Sequence, residues 1–323
     1  MRVVHYLPFA NRGGTELCVL ELCRFSEARP SVVFLQDGPI VRTFRRRGIP
    51  SFVLTDTGQE DALLAVLDRA SLVHAHALAP AHVEAALGLA RLNELPSVVT
   101  LHWLTRLPRL NVPVVCVAGA VEALQDARNR CQLIHNGVDV DRFRPSKRAA
   151  NRDRVTIIRV CRPERCAALF WQAMDRVLAR HDRVDLWIVG EDGRSTDRVK
   201  FLGVRSDVPR LLRHADVFAY APAPGQGAHD LCVLEAMASG LPCVVTDVHS
   251  VNETVTHLRD GVVVPFGDAR AFADAVEQLV VDADLRRTLG EAARQTACDR
   301  FDVRATAAQY DALYQGLCQT GRP

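Results

Sequence analysis

The stretch Val155-Thr-Ile-Ile-Arg-Val-Cys-Arg-Pro-Glu-Arg-Cys-Ala167 reads as a short apolar strand, a basic turn and the entry to a helix. The helix runs over Ala167–Arg180, and a further apolar strand follows at Val184–Val189. A strand–helix–strand unit of this kind pairs its strands in parallel and covers the sheet with the helix. Outward toward the C-terminus the alternation continues. A short strand at Val199–Leu202, a helix at Val208–Ala215, a strand at Val217–Tyr220, a helix at Leu231–Ser239 and a strand at Pro242–Thr246 are expected. Two or three helices then follow the Asp260-Gly261 turn.

Toward the N-terminus an earlier series has the same rhythm. Strands are expected at residues 2–7, Ser31–Leu35, Ser51–Leu54, Leu72–Ala75, Ser97–Leu101 and Val112–Val117. Helices are expected at about Thr15–Phe25, Pro39–Arg47, Glu60–Asp68 and Pro80–Leu92. Between the two series, Asn136–Ala150 carries Asn-Gly, Asp, Pro and basic residues and reads as a linker. A chain of 323 residues also exceeds what one core usually supports. The expected fold class is therefore α/β: two doubly wound, Rossmann-like domains with a cleft, divided at 147/148. Ligands of such sheets sit outside the carboxyl ends of the strands, so the loops after strands are where chemistry is sought.

Composition narrows the class. A net charge of +2 argues against nucleic acid or an anionic membrane as the main partner. Only Lys147 and Lys200 are lysines, so an arginine standing where a relative has lysine is a weak departure, except where a planar fork matters. The ten cysteines contain no Cys-x-x-Cys pair and read as reduced thiols packed as small apolar residues in a cytoplasmic protein. Met1-Arg-Val-Val-His-Tyr-Leu-Pro8 is too short for a signal-peptide core, and no apolar run reaches the ~18 residues of a bilayer span.

Four loops could carry chemistry. Gly13-Gly14 opens the first helix, where backbone can approach a phosphate; a plain tight turn explains it equally well. Arg159, Arg162 and Arg165 lie where a strand enters a helix and suit a diphosphate, the alternative being a solvated basic turn. Gly225-Gln-Gly-Ala-His-Asp230 runs into the helix from Leu231, and Glu235 one turn later needs a partner such as a ribose diol, unless it serves the helix dipole. His102 follows Val-Val-Thr-Leu and is either a general base, a polar sugar contact or a satisfied core histidine. His74 and His76 share one side of a strand, but no third ligand is in view and no metal is expected. Asp139-Val-Asp141 fits an Asp-x-Asp metal pattern but lies in the linker, without the strand such a site needs.

At these residues the chain resembles the family-four retaining glycosyltransferases of the GT-B fold over nearly its whole length. The strongest segments are Leu133-Ile-His-Asn-Gly-Val-Asp-Val-Asp-Arg-Phe143, Leu234-Glu-Ala-Met-Ala-Ser-Gly-Leu-Pro242 and Asp260-Gly-Val-Val-Val-Pro-Phe-Gly-Asp268. Arg12-Gly-Gly-Thr-Glu16 and Val99-Thr-Leu-His102 resemble the family's opening and its acceptor-side histidine segment. The resemblance implies that Gly13 and Gly14 lie near the donor phosphates and the acceptor. It implies that Arg165 binds phosphate, that Glu235 holds the nucleotide ribose, and that Gly203-Val204-Arg205 lines the base. It also implies a first domain over 1–147, a donor domain over 148–304 and a tail, 305–323, that crosses back toward the first domain.

Three departures stand out. The first Glu of the family's paired-Glu motif falls on Gly227, leaving His229 or Asp230 as substitutes. The arginine that partners Arg165 falls on Val160, leaving Arg159 or Arg162. The stretch from His102 to Asn136 is short, which leaves room for a large or membrane-presented acceptor.

The expected function is transfer of a sugar from a nucleoside-diphosphate sugar to a glycan, lipid-linked or small-molecule acceptor, with retention. No cofactor or metal is expected; the charge is met by Arg165, by Arg159 or Arg162, and by the N-terminus of the Leu231 helix. The expected location is the cytoplasm, with contact at the inner membrane face compatible with the class. Two other classes use the same architecture. A nucleotide-sugar epimerase would consume donor without acceptor, and a degenerate partner subunit would bind no donor.

Overall fold

All strands of both halves pair in parallel, in a computed structural model that describes residues 1–146, 153–223, 225, 228–248 and 250–320. The chain divides into two units: Met1–Gly137 with Gly227–His229 and Val303–Pro323, and Val138–Gln226 with Asp230–Asp302.

The first unit runs β1 (Arg2–Leu7), α1 (Gly14–Phe25), β2 (Arg29–Phe34), α2 (Val41–Arg46), β3 (Ser51–Val53), α3 (Glu60–Leu67), β4 (Leu72–Ala77), α4 (Pro80–Leu92), β5 (Ser97–Leu101), β6 (Val114–Cys116), α5 (Gly119–Glu122) and β7 (Cys131–Leu133). Its seven strands are ordered β3-β2-β1-β4-β5-β6-β7. The strand order reverses between β1 and β4, the point where doubly wound sheets open a crevice for ligands. β4 is buried at all six positions, as a central strand covered on both faces must be.

The second unit runs β8 (Val155–Val160), α6 (Ala168–Arg180), β9 (Val184–Val189), β10 (Val199–Phe201), α7 (Val208–Leu212), β11 (Val217–Tyr220), α8 (Leu231–Ala238), β12 (Cys243–Asp247), α9 (Val251–Thr254), β13 (Gly261–Pro265), α10 (Ala269–Val281) and α11 (Ala283–Arg300). The last helix, α12 (Val303–Thr320), belongs to the first unit, where Tyr310 and Tyr314 join its core. The second sheet has the order β10-β9-β8-β11-β12-β13, so its reversal falls between β8 and β11. Asp268 and Asp282 cap α10 and α11, accepting from the amides of Ala271 and Leu285 at 2.8 Å each. Gly240 ends α8 at φ +77°, the left-handed conformation that glycine supplies after a helix.

The doubly wound fold is the one expected, and most strand positions agree within a residue or two. Two short strands, β7 and β13, were not expected; β13 sits where the Asp260-Gly261 turn was read as leading into helices. The boundary between units falls at 137/138, ten residues before 147/148. Val138, Val140 and Phe143 are buried in the second core, and Arg294 donates to the carbonyls of Val140 and Phe143 at 2.8 Å. Asp139 folds this stretch by accepting from the amides of Asp141 and Arg142 at 3.1 and 3.0 Å, which gives Asp139-Val-Asp141 a turn-forming part.

Candidate functional site

In the second unit the loop after β8 and the segment after β11 are laced together at the switch point. The amide of Ala167 donates to Ala221 at 2.9 Å, and the amide of Ala223 donates to Arg165 at 3.0 Å. Pro163 starts a single helical turn, Pro163–Arg165, which brings the Arg165 side chain back toward the start of α8. There Nη2 of Arg165 donates to Oδ1 of Asp230 at 2.5 Å, and Asp230 is the residue that caps α8. Both side chains keep partial access to solvent, 22% and 17%. Burial works against the Arg165 charge, but the Asp230 carboxylate outweighs it and the guanidinium pKa is raised. Beneath the pair, burial and then Asp230 push the Tyr220 phenol well above its ordinary value, and its hydroxyl has no partner among the described residues. Glu235 is half-buried one turn into α8, and Leu231 begins that helix.

The other expected donor residues are placed differently. Strand alternation puts Arg159 on the face of Ile157, under α6, where it is fully buried. It forms an ion pair with Glu191, and its guanidinium carbon lies 5.1 Å from the Phe170 ring centroid and 5.3 Å from that of Trp171. That placement corrects the expectation that Arg159 faces the diphosphate: it is a core cation. Arg162 is solvent-facing, 3.7 Å from Glu164. Val204 is 73% exposed beyond β10, and Arg205 forks onto Asp207 at 2.8 and 3.0 Å. Gly190, at φ +93°, turns the chain after β9 where an added Cβ would stand 2.6 Å from the Cys161 carbonyl oxygen. Gly227 lies outside the described residues. His229 belongs to the first unit, where its ring stacks on His135 with centroids 5.0 Å apart, and its carbonyl accepts from Asn136 at 3.0 Å. Among the described residues none of the ten cysteines forms a disulfide.

In the first unit Gly13 caps α1 and Gly14 opens it, at the switch point beside β1. A Cβ added at Gly14 meets no heavy atom within 4 Å, so the helix start is open. His102 directly follows β5 and is buried, and its Nε2 is 3.1 Å from Nδ1 of His76. Burial pulls its pKa down to about 3, which keeps the ring neutral and makes it a weak general base; hydrogen bonding suits it better. His76 Nε2 in turn is 3.0 Å from Nδ1 of His5, a residue that sequence reasoning missed. His74 lies between Tyr314 and Thr100, 2.7 Å from each.

Residues 153–282, the greater part of the second unit, match the glycosyl transferases group 1 family. That stretch carries a domain of this family. Among curated relatives, it is 35% identical over 118 residues to N-acetyl-alpha-D-glucosaminyl L-malate synthase of Bacillus anthracis, covering 36% of this chain and 30% of that one. It is 29% identical over 204 residues to the phosphatidyl-myo-inositol mannosyltransferase of Mycobacterium leprae, covering 58% of this chain and 54% of that one. The chain thus matches about half or less of the length of these curated relatives. In fold it resembles Anabaena HepE solved in complex with UDP-glucose, with a TM-score of 0.83 at 20% identity, covering 98% of this chain and 100% of HepE. The likeness extends over both parallel-sheet units of this chain. Among the described residues no helix is long and apolar enough to cross a membrane.

Proposed function

We propose that this group 1 glycosyltransferase moves a sugar from a nucleoside-diphosphate sugar, held by its second unit, to a hydroxyl acceptor. The observation that carries the reading is the meeting of Arg165, Asp230 and the N-terminus of α8 at the switch point of the second sheet. A diphosphate leaving group gains negative charge as the anomeric C–O bond breaks. A guanidinium and free helix amides aimed at it stabilise that charge in the transition state. Arg162, solvent-facing on the same loop, is available to the outer phosphate oxygens. The Glu235 carboxylate is assigned to the ribose hydroxyls, and Gly203-Val204-Arg205 to the edge of the base. HepE, which shares the fold, was solved with UDP-glucose, and that supports a ligand of this class.

The acceptor oxygen forms the new bond to the anomeric carbon, and the bonding electrons of the old one leave with the diphosphate. The acceptor proton passes to a leaving phosphate oxygen, so retention needs no protein base. That agrees with the neutral state of His102, whose part is to hold an acceptor hydroxyl. With cationic and dipolar groups meeting the phosphate charge, the transfer is assigned as metal-independent, and the acceptor as a glycan, lipid-linked or small-molecule hydroxyl.

The test is calorimetric binding of UDP-, GDP-, ADP- and TDP-sugars without divalent metal. One donor is expected to bind, with affinity lost in Arg165→Ala and Glu235→Ala and no stimulation of turnover by Mg²⁺ or Mn²⁺. A folded protein that binds none of the four overturns the reading.

A further inference from the structure

We propose that His5, His74 and His76 form a binding site for one divalent transition-metal ion, zinc by preference, within the sheet of the first unit. The geometry comes from strand register. His5 on β1 stands directly opposite His74 on β4, and His76, two residues on, returns to the same face. One donor nitrogen from each of the three lies within 4.8 Å of the other two. A tetrahedral zinc with Zn–N of about 2.0–2.1 Å sets its nitrogens about 3.4 Å apart. His5 Nδ1 and His76 Nε2, at 3.0 Å, are already near that spacing. Three imidazoles from two neighbouring strands form a borderline-soft donor set that suits zinc, copper, nickel or cobalt and not magnesium or calcium.

The surrounding bonds are those a ligated imidazole keeps. When His76 binds through Nε2, its Nδ1–H donates to His102 Nε2, 3.1 Å away. When His74 binds through Nε2, its Nδ1 keeps Tyr314 at 2.7 Å. The Thr100 hydroxyl released by that step retains Tyr310 at 3.1 Å. Ligation therefore displaces two hydrogen bonds, His5–His76 and His74–Thr100, and leaves each ring oriented by an outer partner or by the metal. The ring that held its proton between His5 and His76 moves it to its other nitrogen, so each ligand binds as a neutral imidazole. A cavity of about 20 Å³ bordered by Cys18, His76, His102, Asn136, Thr306 and Tyr310 adjoins the group and gives the side chains room to adjust. These histidines belong to the first unit and Arg165 to the second, so the ion's part is to tie β1 to β4 beneath α12. It does not rest on the transferase reading.

The test uses the full-length, untagged protein, stripped with chelator and titrated with Zn²⁺ and, separately, Co²⁺. One ion per chain is expected, with a melting temperature raised by several degrees at saturation. The Co²⁺ form should show tetrahedral ligand-field absorption and no thiolate charge-transfer band. His76→Gln and His5→Gln should abolish the spectrum, and His102→Gln should weaken affinity roughly ten- to hundredfold. A wild-type protein that takes up no ion overturns the proposal, and so does a thiolate band, which would assign the ion to cysteine. Because the wild-type spectrum alone decides, variants that fail to fold do not blunt the test.

Discussion

Nη2 of Arg165 lies 2.5 Å from Oδ1 of Asp230, so the arginine assigned to the donor phosphates already holds an anion on the protein itself. A diphosphate approaching Arg165 meets a competing carboxylate at the cap of α8. Asp230→Asn keeps the cap's shape and removes the competing charge. Its affinity for the free nucleoside diphosphate should rise roughly fivefold, the worth of about 1 kcal/mol for a partly solvated pair. Calorimetry on both proteins checks this. Weaker binding in the variant would instead make Asp230 a direct donor contact, the role left open by the glycine at 227.

Removing Arg165 tests the other half of the pair. Arg165→Ala should lower turnover by about a hundred- to a thousandfold, the usual effect of losing one transition-state charge stabiliser. Its side chain is only 22% exposed and its removal takes this cation from Asp230, so some stability is lost as well, and turnover is compared per folded molecule. Arg165→Lys should recover part of the rate. Turnover near wild type in the alanine variant would take Arg165 out of the mechanism.

How much of this was legible beforehand depends on how far apart the partners are in sequence. Strand–helix alternation is local, and it marks β8, β9 and β11 almost to the residue. The two missed strands, Cys131–Leu133 and Gly261–Pro265, are short and lie against turns, where apolar periodicity has too few residues to register. The direction of Arg159 was in principle readable, since alternation along β8 places it with Ile157 and away from Ile158. What drew the reading elsewhere was the run of arginines at a strand end. The His5–His76 contact joins residues 71 apart, and the Arg165–Asp230 pair joins residues 65 apart. Both depend on which strands become neighbours, which no local pattern encodes.

Arg159 supplies the contrast to Arg165. It is fully buried, so Arg159→Ala leaves Glu191 without its cation, and removing one partner of a buried pair costs about 3–5 kcal/mol. Glu191 keeps 20% of its side-chain surface, which places the expected loss at the lower end. Replacing both, as Arg159→Met with Glu191→Gln, should be milder than Arg159→Ala alone. Urea unfolding measures the loss. Donor affinity per folded molecule should stay unchanged, and a specific loss of affinity would return Arg159 to the donor site.

The buried histidines make the first unit sensitive to acid. Burial holds His5 and His102 down to about 3 from an ordinary 6.5, and His74 and His76 are also held well below it. Between those values the unfolded chain binds protons that the folded chain refuses. The stability they contribute is therefore fully present above pH 6.5 and is lost as pH falls toward 3. Each histidine in that window adds a slope of about 1.4 kcal/mol per pH unit. Urea unfolding of chelator-treated protein from about pH 7.5 to about pH 5 should show stability falling steeply below neutrality. His102→Gln, which cannot take up a proton, should flatten that slope by one histidine's share. A stability that stays level across the range would mean that these rings are protonated inside the fold.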